Sequence, residues 1–233
     1  MQNGAAREAT LTVRGPVSRP AAALAVVATL AALILLAALH GLSPEFNPSW
    51  RMISEYALGH YGWVLSAFFL CWAAGTWALA FAIAPAIRTP AGKAGMVLLV
   101  LAGCGEALAA FFDVNHMGGH AIAGILGVFG FPAAALLLTS SLRRTEPWRA
   151  NARALRCLAH LSWISVALLA ASLALMTVQL RAANGGHLPR HAPKSLPAGV
   201  LGIAGWADRL IVAANCAWVL LVGWRAIQPR RPA

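Results

Sequence analysis

Residues 21–39 read AAALAVVATLAALILLAAL, an uninterrupted stretch without a charged side chain. As an α-helix rising 1.5 Å per residue, the stretch is about 28 Å long, close to the ~30 Å hydrocarbon core of a bilayer. A cleavable secretory signal has an apolar region of only about 7–15 residues. The length therefore favours a first helix that stays in the membrane.

Five further stretches of spanning length follow along the chain. They lie at about Gly59–Ala84, Ala94–Phe112, His120–Ser141, Cys157–Leu180 and Gly199–Ile227. Together the six stretches predict an all-α, polytopic membrane protein, a bundle of six transmembrane helices. We expect a flexible cytoplasmic tail at 1–19, the transmembrane domain at 20–228 and a short cytoplasmic tail at 229–233. Pro132 is expected to kink the fourth helix.

The composition supports placement in lipid. Of 233 residues, 60% are apolar and only 11% are charged, whereas a soluble domain carries about 25% charged residues. The formal net charge of +11 does not indicate a nucleic-acid binder, because the basic residues lie between the apolar stretches. Membrane lipids are the expected partners, and nucleic acid is not.

The distribution of Lys and Arg predicts the orientation. With the N-terminus inside, thirteen basic residues fall on the inner side and five on the outer side. Such a bias is typical of cytoplasmic loops, so both termini are expected in the cytoplasm. The Ala- and Arg-rich composition suggests a bacterial protein, whose location would be the cytoplasmic (inner) membrane, which is the plasma membrane of a bacterium.

Small residues recur at three-residue steps in two places. Tight helix packing explains both stripes, and a dimerisation face is the alternative. The stripes are Gly124, Gly127, Gly130 in the fourth helix and Gly199, Gly202, Gly205 entering the sixth.

Two carboxylates stand out in the third helix. Glu106 and Asp113 are seven residues apart, so they share one helix face about 10 Å apart along the axis. A carboxylate at the depth of Glu106 costs a few kcal/mol unless it faces protein or is protonated. Glu106 is therefore expected to face the bundle interior, either as a proton- or ligand-binding acid or as a neutral hydrogen-bonded side chain.

Two histidines follow Asp113 at a spacing of four. On a continuous helix His116 and His120 would share a face and could bind zinc, with Asp113 completing the set. Gly118 and Gly119 interrupt the segment and favour a turn. The alternative is that His120 hydrogen-bonds a partner at the start of the fourth helix while His116 is solvated.

The outer ends of the second and sixth helices carry further polar groups. Ser54, Glu55 and Tyr56 precede the second helix, and Asp208 and Arg209 lie near the outer end of the sixth. A buried Arg209 needs a partner, for which Asp113, Asp208 and Glu55 are candidates. The expected result is an Arg–Asp clasp between the third and sixth helices, or an anion site for a lipid head group.

These motifs resemble a known family. The stretch ISEYALGHYGW at 53–63 looks like the start of helix 2 in the bacterial and archaeal membrane family called domain of unknown function 998. Phe112-Asp113, His120 and GWADRL at 205–210 agree in kind and order, over about residues 20–228. The resemblance implies six spans and an activity that is not known. It also implies the family-type positions Ser54, Tyr56, Gly62, Asp113, His120 and Arg209.

A second likeness concerns residue types alone. Alkaline ceramidases and adiponectin receptors use Ser, Asp and three His around zinc, within seven spans, and Ser54, Asp113, His116 and His120 supply similar types at a different spacing. Three functions therefore stay open. The first is a lipid- or partner-binding bundle with a polar cluster at the outer face. The second is a zinc-dependent lipid hydrolase with Ser54 and Asp113 as catalytic candidates, and the third is a small proton-coupled transporter using Glu106.

Overall fold

The computed structural model describes residues 17–189, 193 and 195–229. The described residues form six long helices and no strand. The helices are α1 (Arg19–Leu42), α2 (Gly62–Ile83), α3 (Pro90–Ala109), α4 (Met117–Leu142), α5 (Ala152–Ala183) and α6 (Ala204–Ile227). The expected tails at 1–19 and 229–233 fall largely outside the described residues, and Arg19 already belongs to α1.

The six helices pack in a ring that follows chain order and closes where α6 meets α1. α2 and α6 also touch across the ring, and these two helices are the most buried. Because consecutive helices alternate in direction, one end of the bundle carries residues 17–19, 84–89, 143–151 and 228–229. We call this end the termini side, and the end that carries 43–61, 110–116, 184–189, 193 and 195–203 the distal side.

The outward face of the ring is apolar. All six helices are long and apolar enough to cross a membrane, and their outward side chains include Val27, Ile34, Phe81 and Val178, each more than 60% exposed. Such a surface is stable in lipid and would be a liability in water. The prediction of an all-α bundle of six transmembrane helices is therefore confirmed.

Proline and a cap determine where two of the helices begin. Pro20 and Pro90 lie in the first turns of α1 and α3, where the missing N–H is not needed. The Thr89 side chain accepts a hydrogen bond from the Gly92 backbone N–H at 3.0 Å, which caps α3. As a result α3 begins four residues before the predicted Ala94.

Two other helices differ from their predicted bounds for physical reasons. A separate 3₁₀ helix at Ile53–Leu58 precedes the predicted second stretch, and α2 starts at Gly62 instead of the predicted Gly59. α5 has 32 residues, about 48 Å at 1.5 Å per residue, so it exceeds the hydrocarbon core. Its ends carry Arg153 and Arg181, which hydropathy assigns to loops although the helix continues through them.

A π-helical turn lies next to Pro132, where the sequence predicts a kink. Residues Ile125–Phe129 of α4 form one π-helical turn directly before Gly130 and Pro132. Proline lacks an N–H for the Val128 carbonyl and its ring crowds that group, and a π turn accommodates the mismatch inside an otherwise continuous helix.

A continuous core fills the termini side. Trp148 and Trp218 are fully buried there, together with Leu99, Leu138 and Leu142. The Trp148 indole donates to the Val222 carbonyl at 2.9 Å, and the Trp218 indole donates to the Thr139 hydroxyl at 3.0 Å. This half of the bundle thus combines close packing with satisfied polar groups.

The glycine stripes have unequal roles. A Cβ on Gly205 would collide with the backbone of Pro48 and Arg51, so the sixth helix packs tightly against the loop before the 3₁₀ helix. A Cβ on Gly124 or Gly127 would meet nothing within 4 Å, and Gly130 makes only ordinary contacts. Tight packing therefore explains Gly205 but not Gly124 and Gly127.

Candidate ligand cavity on the distal side

A cavity of about 140 Å³ lies inside the distal half of the bundle. The 3₁₀ helix and helices α2 to α6 all contribute to its wall. Aromatic and aliphatic side chains dominate the lining, and four polar side chains interrupt it. Those four are Ser54, Glu106, His120 and Asp208, all of which belong to the polar cluster predicted from the sequence.

Glu106 is the most deeply buried of the four. The residue is 3% exposed, and neither carboxyl oxygen has a hydrogen-bond partner among the described residues. It lies one turn from the distal end of α3 and lines the cavity. Buried polar side chains are nearly always hydrogen-bonded, so a carboxyl group left free against a cavity is available for something that enters it.

Other polar groups in the same part of the bundle also lack partners. The Trp72 indole N–H, which lines the cavity, and the Thr76 hydroxyl on the next turn of α2 have no hydrogen-bond partner among the described residues. Thr76 lies beside Glu106, but its hydroxyl does not meet hydrogen-bond geometry with either carboxyl oxygen. The amide of Asn215 in α6 is fully buried and equally unpartnered within the described chain. None of these three residues is predicted from the sequence, although Trp72 and Thr76 are four apart on one helix face.

Asp208 fixes one wall of the cavity. Its Oδ2 accepts a hydrogen bond from the Ile53 backbone N–H at 2.8 Å, which joins α6 to the first residue of the 3₁₀ helix. Ser54, the next residue, lines the cavity. His120 lies on the α4 wall, where its Nδ1 donates to the Phe112 carbonyl at 3.0 Å. The expected partner for His120 at the start of the fourth helix is therefore a backbone carbonyl.

Arg209 points away from the cavity. The residue is 7% exposed, and its guanidinium group donates to the Tyr56 hydroxyl at 3.0 Å, to His40 Nε2 at 2.8 Å and to the Arg51 carbonyl at 2.9 Å. The predicted clasp with a carboxylate is wrong: none of Asp113, Asp208 and Glu55 forms a salt bridge with Arg209 within the described residues. The side chain instead ties α1, the 3₁₀ helix and α6 together.

His40 was missed as a member of this cluster. Its Nδ1 lies 2.7 Å from the Leu36 carbonyl, which can only accept a hydrogen bond. Nδ1 therefore carries the proton, and Nε2 is free to accept from Arg209. The sequence does place a histidine at the distal end of an apolar helix, at the same end of the bundle as Arg209 on α6.

Glu55 has a local role. Its Oε2 accepts from the Met52 backbone N–H at 2.7 Å, and its Oε1 lies 3.0 Å from the Arg51 guanidinium. The Arg51 guanidinium also stacks over the rings of Phe46 and Trp50. These contacts shape the loop before the 3₁₀ helix, and Glu55 does not line the cavity.

Asp113 and His116 form a separate pair at the bundle surface. His116 Nδ1 lies 3.0 Å from Asp113 Oδ1, and both side chains are partly exposed. The hydrogen bond from His116 lowers the pKa of Asp113 below its ordinary value. Because neither residue lines the cavity, the structure separates Asp113 from Ser54, Glu106, His120 and Asp208.

The zinc set predicted from Asp113, His116 and His120 gains no support. Asp113 and His116 contact each other, but His120 Nδ1 bonds the Phe112 carbonyl. No group of three or more His, Cys, Asp or Glu side chains in the described part of the chain could hold a metal ion.

Gly124 and Gly127 line the cavity. Since a Cβ at either position would meet open space, the absence of side chains there leaves room on the α4 wall. The π-helical turn includes Gly127 and directly follows Gly124, so the irregular part of α4 is also the part that faces the cavity. π turns occur often at functional sites.

Comparison with known proteins places the chain in a family. The family model described as "Protein of unknown function (DUF998)" matches residues 25–225. The chain belongs to this family. No curated protein and no solved structure matches the chain.

Proposed function

We propose that this member of the DUF998 family binds an amphipathic, lipid-like molecule and takes the polar end of that molecule into the distal cavity. The observation that carries the proposal is the free Glu106 carboxyl group, buried against a cavity whose other lining is mostly apolar. A largely apolar pocket with a few convergent polar groups is the usual form of a small-molecule site.

The size of the cavity defines what can enter. A cavity of about 150 Å³ in a protein core holds a molecule the size of benzene, so about 140 Å³ admits a head-group-sized end and excludes a whole lipid. The remainder of an amphipathic molecule would lie in the surrounding bilayer, against the exposed apolar side chains of α4 such as Ile122 and Ile125.

Binding is favoured over the two alternatives. The zinc hydrolase needs Asp113 and His116 at the site, whereas only Ser54 and His120 of that set line the cavity. A proton-coupled carrier could use Glu106, but a carrier also needs a route to the other side. Fully buried Leu79, Leu99 and Trp218 fill the termini half instead.

For the placement in the cell we propose the cytoplasmic membrane of a bacterium, with both termini in the cytoplasm. The Lys and Arg bias between the two ends supports this orientation. The distal cavity would then open toward the outer leaflet, and the ligand would come from that leaflet or from outside. A fluorescent-protein fusion at the C-terminus should fluoresce, whereas a C-terminal alkaline phosphatase fusion should be inactive.

Filling the cavity tests the proposal. Gly124→Leu introduces a side chain into the cavity, and Gly118→Leu is the matched control, because its Cβ also meets nothing within 4 Å but the residue does not line the cavity. Native mass spectrometry of each protein, extracted from its host membrane, measures the lipid that remains bound. We expect Gly124→Leu to lose a bound species that the wild type and Gly118→Leu retain. Equal retention by all three proteins would refute binding in this cavity.

A further inference from the structure

We infer that the polar group taken into the distal cavity is a primary ammonium, bound by the Glu106 carboxylate with Asp208 as a second negative group. This inference rests on the proposed binding function and specifies its ligand class. The ammonium belongs to a molecule whose cavity-filling end is about the size of a four-carbon amine.

The first step concerns the free hydrogen-bonding capacity of Glu106. An ionised carboxylate accepts about four hydrogen bonds and donates none, whereas a primary ammonium has three N–H donors and no acceptor. Both Glu106 oxygens are unpartnered among the described residues. The neighbouring Thr76 hydroxyl could supply one donor at most. A ligand with several donors would therefore satisfy hydrogen-bonding capacity that the described residues leave free.

The second step concerns charge. An ionised carboxylate buried among apolar helices is unfavourable by several kcal/mol unless a cation accompanies it. Asp208, on α6, adds a second carboxyl group to the lining of the same cavity, and its Oδ2 already accepts from the Ile53 backbone N–H. Arg209, which follows Asp208 in the chain, donates to Tyr56 and His40 and does not line the cavity. His120 is the one basic side chain in the described lining, and its Nδ1 bonds the Phe112 carbonyl. A ligand cation would therefore balance an ionised Glu106 directly.

The third step distinguishes an organic ammonium from a metal ion. Calcium takes six to eight oxygen ligands and magnesium a regular octahedral set, while the cavity offers two carboxyl groups and the Ser54 hydroxyl. The rest of the lining is hydrophobic and includes Phe68, Phe69 and Trp72. Aromatic rings attract ammonium groups through cation–π interactions, and the apolar wall suits the short alkyl chain that carries the charge.

Two sources could supply this chemistry. A lipid with a primary amine in its head group could insert it from the distal leaflet, or a free alkylamine could enter from the aqueous side. Both present the same ammonium to Glu106, so the experiment separates them by the lipid in which the protein is embedded.

The test compares n-butylamine with n-butanol, which has similar size but no charge. Binding is measured by isothermal titration calorimetry on the protein in nanodiscs of phosphatidylcholine, a lipid without a primary amine, with empty nanodiscs subtracted. We expect n-butylamine to bind at least about tenfold more tightly than n-butanol, as one charge-assisted hydrogen bond already accounts for that ratio. Equal affinities in the wild type would overturn the inference without any variant.

Variants locate the effect. Glu106→Gln should lower n-butylamine affinity at least about tenfold and leave n-butanol within about threefold, and Glu106→Asp should retain part of the preference for the amine. Unchanged n-butylamine binding in a folded Glu106→Gln protein would overturn the inference. The proposed function fails separately, if Gly124→Leu binds both probes as the Gly118→Leu control does.

A final arm identifies the source. Nanodiscs that contain phosphatidylethanolamine should weaken apparent n-butylamine binding in the wild type if the lipid head group occupies the site. Unchanged n-butylamine affinity in those nanodiscs assigns the site to a free amine. Both results keep the ammonium at Glu106 and differ only in the molecule that carries it.

Discussion

Two buried tryptophans, one in each half of the bundle, have opposite environments. Trp218 on the termini side is fully buried, packs edge-to-face on Phe131 and donates to the Thr139 hydroxyl at 3.0 Å. Trp72 on the distal side packs on Phe68, lines the cavity, and its indole N–H has no partner among the described residues. The termini half is thus organised for stability, whereas the distal half leaves polar groups free at a cost that a purely structural core would avoid.

Truncation of each tryptophan should show the largest difference. Trp218→Ala removes a close-packed side chain and is expected to lower the free energy of unfolding by about 3–5 kcal/mol. Trp72→Ala enlarges a cavity that already exists and should cost at least about 1 kcal/mol less, because fewer packing contacts are lost there. Unfolding in mixed micelles, followed by circular dichroism, measures both. Equal losses would mean that the two halves are packed alike.

The second-largest difference in stability is expected between substitutions of the two arginines of α6. Arg209→Ala leaves the Tyr56 hydroxyl and the Arg51 carbonyl without their donor, and we expect a loss of about 2–4 kcal/mol. Arg225→Ala is the matched control near the termini end of the same helix. Among the described residues, Arg225 hydrogen-bonds the Pro147 carbonyl alone, at 3.3 Å, and its removal should cost less than about 1.5 kcal/mol.

The same unfolding assay measures the arginine variants, and a second variant checks the mechanism. His40→Ala removes one acceptor of Arg209, so its cost and that of Arg209→Ala should not add in the double variant. Additive losses would show that His40 and Arg209 act independently.

A smaller substitution sharpens the tryptophan comparison. Trp218→Phe deletes a made hydrogen bond and should destabilise the protein, with about 0.6 kcal/mol from the interhelical bond alone. Trp72→Phe deletes an unpartnered N–H and should be neutral or slightly stabilising, since a buried donor without an acceptor is unfavourable. The sign of the difference, read from melting temperatures in the same detergent, is the result that matters. Because both substitutions remove similar volume, a loss at Trp72→Phe as large as that at Trp218→Phe would mean that the Trp72 N–H does have a partner.

The smallest effect is expected at the surface pair on the distal side. The hydrogen bond from His116 lowers the pKa of Asp113 in the folded protein, so the ionised form contributes stability above the ordinary aspartate pKa of about 3.9. This contribution is lost as the pH falls through the lowered folded pKa. The melting temperatures of the wild type and Asp113→Asn should differ slightly at neutral pH and converge once the pH falls below the lowered folded pKa of Asp113. A difference that persists at acid pH would exclude the His116 contact as its cause.

Hydropathy and charge were sufficient for the architecture. Six apolar stretches predict six helices because each must satisfy its backbone within the bilayer. The bounds were less accurate where local geometry decides, as at the 3₁₀ helix of Ile53–Leu58 and at α5, which continues through Arg153 and Arg181.

The candidate site was predicted in part. Ser54, Glu106, His120 and Asp208 do line one cavity, because polar groups that face the interior of a bundle are rare enough to be noticed in sequence. The partner of Arg209 was not predictable in the same way. A sequence shows which charges need partners, but His40 and the Arg51 carbonyl become partners only through the packing of α1 and the loop against α6.

The contacts of Asp208 and Arg209 hold one side of the cavity more firmly than the side opposite. On the first side, the 3₁₀ helix and the loop before it are joined to α6 by two hydrogen bonds, one from the Ile53 N–H to Asp208 and one from Arg209 to the Arg51 carbonyl. The opposite side is the start of α4. There Ala123 is the one buried residue of Met117–Gly124, and several positions are glycines without a side chain to pack. If the cavity changes width, we therefore expect the α4 side, which includes the π turn, to move more than the side joined to α6.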